Sequence, residues 1–239
     1  MRILITNDDG IFAPGIAHLV QWAKQLGEVV IAAPEVEQSA KSHAIEIHQP
    51  FRAYEVEHPT GVKAYSVCST PADCVRFMVL GLQEQFDLVL SGINKGLNIG
   101  ADIMYSGTVA AIFEAGNLGL RGMAVSTPPQ SFEPAAAHLD RVWTYMLEKK
   151  LFNLNSIYNV NIPLDPKGIR ITRQGGPYYS DRFLPAENNF YTPHGYSVYR
   201  PSGTDELDTD AVLTDHYISV MPLTADRTNL EVFRKLRNM

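Results

Sequence analysis

The chain has few cysteines, no long apolar run and no excess of basic residues, and each shortage excludes a class of protein. Its 239 residues include only Cys68 and Cys74, too few for a disulfide framework or a four-cysteine zinc site. We expect both thiols to be reduced and buried. No stretch approaches the roughly 18 apolar residues of a transmembrane helix, and the N-terminus lacks a signal-peptide pattern. We therefore expect a cytoplasmic protein with no membrane partner.

The charge balance is acidic, with a formal net charge of -6. A surface for duplex nucleic acid needs a basic field to neutralise phosphates, so this class of partner is disfavoured. Small anionic substrates remain compatible with the composition if a bound metal ion supplies positive charge locally.

The order of apolar patterns predicts an α/β fold, Rossmann-like and doubly wound, with a mostly parallel sheet. Short extended or apolar segments are predicted at residues 2–6, 28–33, 44–47, 51–55, 63–68, 86–90, 123–126, 157–162, 168–173 and 217–221. Helical spacing or capping patterns occur at residues 16–26, after Thr70, at 106–116, around 139–146 and at 229–236. Ligands of such sheets bind beyond the carboxyl ends of the parallel strands.

The amino-acid composition and the periodicity of apolar residues change after about residue 155. We expect residues 1–155 to form the core with the functional site, and residues 156–239 to add the last core strands, an extension and a terminal helix to the same catalytic domain. Residues 175–208 are rich in Gly, Pro, Tyr and Asn without a helical period, which predicts a β-hairpin extension and long loops. Such a segment serves as a lid or an oligomerisation arm.

The segment Asn7-Asp8-Asp9-Gly10 follows the first predicted strand directly. Adjacent side chains of a strand point to opposite faces, so Asp8 and Asp9 can meet only if the chain turns, which Gly10 permits. Two carboxylates about 4 Å apart repel by about 4 kcal/mol at an effective dielectric of about 20, so one pKa rises or a cation binds. Oxygen ligands suit Mg²⁺, Mn²⁺ or Ca²⁺. From this segment alone, an ordinary Asx-type turn explains the residues equally well.

A second polar segment covers residues 91–108. Its glycines, Gly92, Gly96 and Gly100, recur at every fourth position, a spacing found neither in the dinucleotide fingerprint nor in the P-loop. Asn94 and Asn98 offer carbonyl oxygens to a hard cation or hydrogen bonds to a ligand.

The same segment ends where a helix is predicted to begin, at Ser106, Gly107 and Thr108. Backbone N–H groups at a helix N-terminus, beside two hydroxyls, can bind phosphate. The alternative is ordinary capping of the helix by Ser106.

A third polar segment, residues 37–44, follows the second predicted strand and contains Ser39, Lys41, Ser42 and His43. If the βαβ interpretation is right, all three segments lie at one edge of the sheet. Each is explained locally when taken alone, but their convergence predicts a metal and phosphate site. Spacings typical of zinc sites and the Gly-x-Ser-x-Gly motif of serine hydrolases are absent.

Several longer motifs occur in order along the chain: NDDG followed by APG, APxxxxSxxS, STPADCV, SGINxGxNxGxDxxYSGTVAAxxEA, NVNIP, TRQG and TDAVLTDHYISVMPL. Together they resemble the survival protein E (SurE) family over essentially the whole chain. The resemblance implies a divalent-metal-dependent phosphomonoesterase, a 5'-nucleotidase that hydrolyses nucleoside 5'- and 3'-monophosphates to nucleoside and phosphate. Short polyphosphate is a further substrate of some members.

The resemblance also implies the site residues. The ligands of one Mg²⁺ or Mn²⁺ ion per subunit fall on Asp8, Asp9, Ser39 and Asn94, and the two aspartates are the catalytic residues. We favour Asp8 as the proton acceptor, although the sequence does not decide between the two aspartates. The phosphate contacts fall on the residues Asn98, Ser106, Gly107 and Thr108. Ala40 and Lys41 stand where the family often has glycine and a small residue, which leaves the substrate preference open.

The resemblance also implies oligomers in which a C-terminal hairpin and helix exchange between subunits, so we expect a homodimer or a dimer-based homotetramer. Two other hypotheses remain open at this point. One is a different metal hydrolase, such as a deacetylase with an acidic pair after its first strand, although a matching zinc set is absent. The other is a nucleotide or phosphate sensor without catalysis.

Overall fold

A central sheet of nine strands organises the chain, and the computed structural model describes residues 1–239. The strands are β1 Arg2–Thr6, β2 Glu28–Pro34, β3 Ala53–Val56, β4 Lys63–Val67, β5 Leu88–Lys95, β6 Arg121–Thr127, β7 Ile157–Asn161, β8 Gly168–Ile171, β9 Tyr179–Pro185, β10 Tyr191–Ser197 and β11 Tyr217–Leu223. The helices are α1 Pro14–Ala23, α2 Pro71–Arg76, α3 Gly107–Asn117, α4 Glu133–Glu148, α5 Asp208–Leu213 and α6 Leu230–Arg237. None of them is both long and apolar enough to cross a membrane.

The strand order is β3-β4-β2-β1-β5-β6-β7-β11-β8, with β1 between β2 and β5. Strand pairs from β4 through β2, β1, β5 and β6 to β7 are parallel, whereas β3 and β11 run antiparallel to β4 and β7. Helices α1 and α4 pack together on one face, and α2 and α3 pack together on the other. These features confirm the predicted doubly wound, mostly parallel fold.

The first strand shows why this arrangement is stable. Ile3 and Ile5 pack into the core beneath α1 and α4, while Leu4 packs into the core beneath α2 and α3. All three side chains are fully buried. A strand that alternates between two covered faces must be apolar throughout, which is the pattern that β1 shows.

The C-terminal part completes the sheet and adds exposed elements. Strands β7, β8 and β11 lie side by side in the sheet, whereas β9 and β10 form a separate antiparallel hairpin. The predicted hairpin and terminal helix are thus confirmed. Helix α5 was not predicted, because Asp208 and Asp210 give it no apolar period although both are buried.

Three local predictions were wrong. Residues 44–47 alternate like a strand but form none, because this loop attaches to α2 instead of a sheet edge: Thr70 donates to the carbonyl of Ala44 (2.7 Å) and the amide of Glu46 donates to Asp73 (2.8 Å). Strand β5 continues to Lys95 through an irregularity in its register with β6, where Leu90 had been expected to end it. Cys74 is buried, but Cys68 is exposed because it lies just beyond the end of β4.

Candidate active site

The chain turns sharply at the end of β1 through the side chain of Asn7. The Asn7 amide donates to the carbonyl of Gly10 (2.9 Å), and the Gly10 amide donates to Asn7 Oδ1 (3.2 Å). Gly10 has a φ of 106°, a conformation that strongly favours glycine. Asn7 makes the turn with its own side chain, so the turn leaves the carboxylates of both aspartates available for other contacts.

Asp8 is buried, with 4% of its surface exposed. Its Oδ1 accepts a hydrogen bond from the Thr108 hydroxyl (2.5 Å), and its carbonyl accepts one from the Gln38 amide (2.7 Å). Burial raises the pKa of Asp8 to about 6; the negative charge of Asp9 adds to this increase, and the bond from Thr108 opposes it. The carboxylate thus lies in an environment that favours protonation or a nearby cation.

Gly107 allows the first turn of α3 to lie directly against Asp8. A Cβ atom at position 107 would lie 2.8 Å from the Asp8 Cβ and 3.0 Å from its Oδ2. Ser106 caps the helix, since its hydroxyl accepts the amide of Val109 (3.1 Å). The capping expected for Ser106 is present, and the positive end of the α3 dipole faces the same region as Asp8.

Asp9 is partly exposed and points toward a small cavity of about 280 Å³ whose lining includes Glu37 and Lys95. Burial raises the pKa of Asp9, and the charge of Glu37 raises it further, while the hydrogen bond from the Lys95 amide (3.2 Å) lowers it. Neither Asp8 nor Asp9 forms an ion pair with a basic side chain. The pair therefore has no ion-pair partner, although the positive charge of Lys95 also lowers the pKa of Asp9.

Ser39 and Asn94 lie at the same edge of the sheet, because β2 and β5 flank β1 in parallel. Ser39 is exposed, and its hydroxyl donates to Glu37 Oε1 (2.6 Å). Asn94 is half-buried near the end of β5 and donates its amide hydrogen to the Gly96 carbonyl (2.8 Å), which leaves its side-chain oxygen without a hydrogen bond. Both residues can offer an oxygen atom to a ligand.

Asn98 is held by polar side chains from the neighbouring strands. Its backbone amide donates to Asn161 Oδ1 (2.8 Å) and its side chain donates to the Ser126 hydroxyl (2.8 Å). Its carbonyl accepts from the side chains of Asn159 (2.7 Å) and Asn161 (2.9 Å). Sequence reasoning missed this support, although the motif NVNIP contains both β7 asparagines.

The hydroxyl of Thr108 has a different partner from the one expected. The side chain is fully buried and donates to Asp8, so it orients that carboxylate and does not present its hydroxyl to an external phosphate. The sequence could not indicate this bond, since it joins residues 100 positions apart.

A second buried carboxylate holds the loop after β2, and sequence reasoning missed it as well. Glu114 of α3 accepts a hydrogen bond from Arg76 of α2 (2.8 Å) and contacts His43 Nε2 (2.9 Å). The His43 ring also stacks on Phe113 at a centroid distance of 6.2 Å. Burial disfavours the charged form of Glu114, but the bonds to His43 and Arg76 outweigh it and lower the pKa. We call His43, Glu114 and Arg76 the clasp, because they tie the Ser39 loop to helices α2 and α3.

The donor set fits a hard divalent cation. There is no cluster of three or more His, Cys, Asp or Glu side chains that could hold a metal. Instead, two carboxylates with raised pKa values lie at one sheet edge with a serine hydroxyl and a free amide oxygen. All of these are oxygen ligands, the type that Mg²⁺ and Mn²⁺ prefer.

Comparison with known proteins shows the family of the chain. The family model described as survival protein SurE matches residues 3–181. The chain belongs to the SurE family. It is 39% identical over 249 residues to the 5'-nucleotidase SurE of Desulforudis audaxviator, covering 99% of this chain and 96% of the relative. Identity to the 5'-nucleotidase SurE of Carboxydothermus hydrogenoformans is 40% over 256 residues, covering 99% and 95%.

The fold is also that of a solved SurE structure. The crystal structure of the SurE protein from Aquifex aeolicus superimposes with a TM-score of 0.78 at 34% identity, covering 100% of this chain and 99% of that one. The family resemblance and the fold predicted from the sequence are therefore both confirmed.

Proposed function

We propose that this SurE protein is a divalent-metal-dependent phosphomonoesterase that hydrolyses nucleoside 5'-monophosphates, and 3'-monophosphates as well, to nucleoside and phosphate. The observation that carries the proposal is the Asp8–Asp9 pair, which lies at the carboxyl end of β1, forms no ion pair with a basic side chain and abuts the N-terminus of α3. Relatives that share about two fifths of its residues are named 5'-nucleotidase SurE. Hydrolysis of short polyphosphate belongs to the same proposal.

The metal ligands in this proposal are Asp8, Asp9, Ser39 and Asn94. These residues would hold one Mg²⁺ or Mn²⁺ ion per subunit, which would supply positive charge to the phosphoryl oxygens and activate water for attack. Ser39 must turn its hydroxyl away from Glu37 to serve as a ligand. The unpaired side-chain oxygen of Asn94 needs no such change.

The protein's own residues contribute binding and proton transfer. The backbone N–H groups at the start of α3, with the Ser106 hydroxyl and the Asn98 side chain, bind the phosphoryl oxygens. Asp8, oriented by Thr108, accepts the proton of the attacking water. Gly107 keeps the distance between α3 and Asp8 short enough for both tasks.

A substrate panel tests this proposal. We expect phosphate release from 5'-AMP and 3'-AMP in the presence of Mn²⁺ or Mg²⁺, and none in excess EDTA, with activity restored by added metal. The sensor hypothesis predicts the opposite pattern, in which AMP binds in a metal-dependent manner but no phosphate is released. A different metal hydrolase would release acetate from acetylated sugars and leave AMP intact.

We also propose that the protein assembles as a homodimer or a dimer-based homotetramer through its C-terminal arm. The hairpin β9–β10 and helix α6 expose large apolar side chains: Phe183, Phe190, Tyr191, Leu230, Phe233 and Leu236. Exposed apolar surface of this extent is typical of a contact with another protein. A second copy of the chain, exchanging the same elements, provides a symmetric partner.

A further inference from the structure

The loop that carries Ser39 contains two non-glycine residues in the left-handed region of backbone conformation. Ala40 has a φ of 58° and Ser42 has a φ of 56°. The Lys41 amide donates to the Gln38 carbonyl (3.3 Å), which closes a turn with Ser39 and Ala40 at its centre. A turn whose third residue has a positive φ favours glycine there, because a Cβ atom crowds the following carbonyl oxygen. The loop is therefore strained in this conformation.

Three sets of contacts hold the strained loop in place. Where the loop begins, the Gln38 amide donates to the Asp8 carbonyl (2.7 Å). Further along, the Ser42 amide donates to the Tyr105 carbonyl (2.9 Å), and the Ser42 hydroxyl donates to the Met104 carbonyl (2.6 Å). The third attachment is the clasp, next to Ser42 in the chain. Strained backbone persists only where such surrounding contacts stabilise it.

The clasp provides the strongest of these contacts. Among the side chains of residues 37–44, only His43 forms a hydrogen bond with a buried charged group, the Glu114 carboxylate. The distance from His43 Nε2 to the carboxylate is 2.9 Å, and the ring nitrogen donates because a carboxylate only accepts. Hydrogen bonds to charged groups contribute more to stability than neutral ones. The bond from the Ser42 hydroxyl is neutral and exposed.

Ser39 lies between two of these attachments. Gln38, the residue before it, is bonded to Asp8, and His43 follows four residues later. Without the clasp, the two left-handed residues lose the contact that contributes most to holding them. The loop can then relax to conformations in which the Ser39 hydroxyl leaves the edge of the sheet.

We propose that His43 is a positioning residue for the metal site, whose bond to Glu114 holds the strained loop so that Ser39 stays beside the other three proposed ligands. The inference rests on the proposed function and extends it from the ligands to the residue that sets how firmly they bind the cation. His43 acts through Ser39 and touches neither the cation nor the substrate. A cation that binds only the held conformation has an apparent affinity reduced by the fraction of protein in that conformation.

Titration of the metal-free protein with Mn²⁺, followed by the EPR signal of free Mn²⁺, measures this affinity without turnover. We expect His43→Ala to raise the Kd for Mn²⁺ about tenfold, because the loop loses a hydrogen bond to a charged group. Glu114 keeps its bond to Arg76 in this variant, so the fold should stay intact. His43→Gln keeps a donor for Glu114 and should bind Mn²⁺ within about twofold of the wild type. The exposed His48→Ala is the matched control and should bind like the wild type.

The variant Ala40→Gly tests the strain in the loop. Glycine adopts a positive φ without a Cβ clash, so Ala40→Gly should restore most of the Mn²⁺ affinity lost in His43→Ala. With His43 present, the same change should have little effect, so the two substitutions are not additive. Gln83, exposed and with a φ of 56°, lies outside the loop, and Gln83→Gly should not restore the affinity. If His43 only stabilised the protein as a whole, either glycine would compensate equally.

The opposite results overturn the inference. Equal Kd values for His43→Ala and the wild type would remove His43 from the metal site. A loss that Ala40→Gly does not reduce, or that Gln83→Gly reduces as much, would show that loop strain is not what His43 opposes. A wild type that binds Mn²⁺ but releases no phosphate from AMP would contradict the nucleotidase activity only. A wild type that does not bind Mn²⁺ would contradict the metal site and the role of His43 together.

Discussion

At the scale of single residues, the site depends on how closely α3 approaches Asp8. Gly107 leaves no room for a side chain, and Thr108 in the next position fixes the carboxylate. The geometry of the site therefore depends on the residues that position Asp8 as much as on Asp8 itself.

We expect Gly107→Ala to lower kcat/KM for AMP by at least about tenfold. The added Cβ would lie 2.8 Å from the Asp8 Cβ, so the helix or the carboxylate must move, and small displacements of catalytic groups are costly. Phosphate release by the purified variant measures the effect, and circular dichroism should show an intact fold. Gly81→Ala, where the nearest atom belongs to the Phe77 ring, is the matched control. Full activity in Gly107→Ala would contradict the close approach.

Asp8 should destabilise the metal-free fold at neutral pH. Its folded pKa of about 6 lies above the ordinary value of 3.8, so the fold prefers the protonated carboxyl. The contribution of Asp8 to stability is present below the ordinary pKa and is lost as the pH rises through about 6.

We therefore expect Asp8→Asn to raise the free energy of unfolding of the metal-free protein at pH 7 by about 1–3 kcal/mol. The same variant should lose most of the increase in Tm that Mn²⁺ gives the wild type, because the cation no longer finds its carboxylate. Urea unfolding in EDTA and thermal unfolding with Mn²⁺ measure the two effects. A variant that is less stable in EDTA and retains the Mn²⁺ response would refute the account of Asp8.

At the scale of elements, the clasp connects two helices to the loop that carries Ser39. Glu114 is buried, so its removal leaves Arg76 and His43 without their shared partner. The loop residue Lys41 is exposed and offers a site for trypsin.

We expect Glu114→Ala to lower the free energy of unfolding by about 1–3 kcal/mol. This range lies below the cost of breaking a fully buried ion pair, because Arg76 is partly exposed. Trypsin should also cleave after Lys41 faster than in the wild type, since the loop loses its attachment. Glu148→Ala, an exposed position at the end of α4, is the control. Equal cleavage rates in both variants would show that the clasp does not hold the loop.

The sequence predicts the elements whose pattern is local. Strand β1 is apolar throughout and α2 begins at Thr70 and Pro71, so both are visible without knowledge of their neighbours. The convergence of Asp8, Ser39 and Asn94 follows from the parallel order of the strands.

Other features depend on distant partners and could not be predicted. Residues 44–47 alternate like a strand, but their backbone bonds to α2, and the clasp joins residues from three separate segments. Gly92 resembles a turn residue, yet it lies within β5, where a Cβ atom would approach the Val125 carbonyl to 2.3 Å. Such close approaches are set by tertiary packing, which a local pattern does not record.

At the scale of the whole molecule, helix α6 is the clearest unpartnered element. It has no buried residue, and its apolar residues Leu230, Phe233 and Leu236 expose 47%, 46% and 64% of their surfaces. Burial of these side chains against a second subunit would stabilise an oligomer.

We expect Phe233→Glu to shift the protein from the dimer or tetramer toward the monomer, because a charge would replace a buried apolar contact. Size-exclusion chromatography with light scattering at micromolar concentration measures the shift. Arg234→Glu also adds an acidic group to α6 but replaces a charged residue, and should leave the assembly intact. A wild-type protein that is already monomeric would refute the assembly proposal.

The central claim, that Asp8 and Asp9 hold a metal ion that is needed to hydrolyse nucleoside monophosphates, is tested most directly by one titration. Phosphate release from AMP is measured for the wild type and for Asp9→Asn as Mn²⁺ is added to EDTA-treated protein. We predict that wild-type activity rises from the background to a plateau, and that Asp9→Asn stays at least about a hundredfold lower at every Mn²⁺ concentration. Wild-type turnover that is undiminished in EDTA, or an Asp9→Asn variant that matches the wild type, would contradict it.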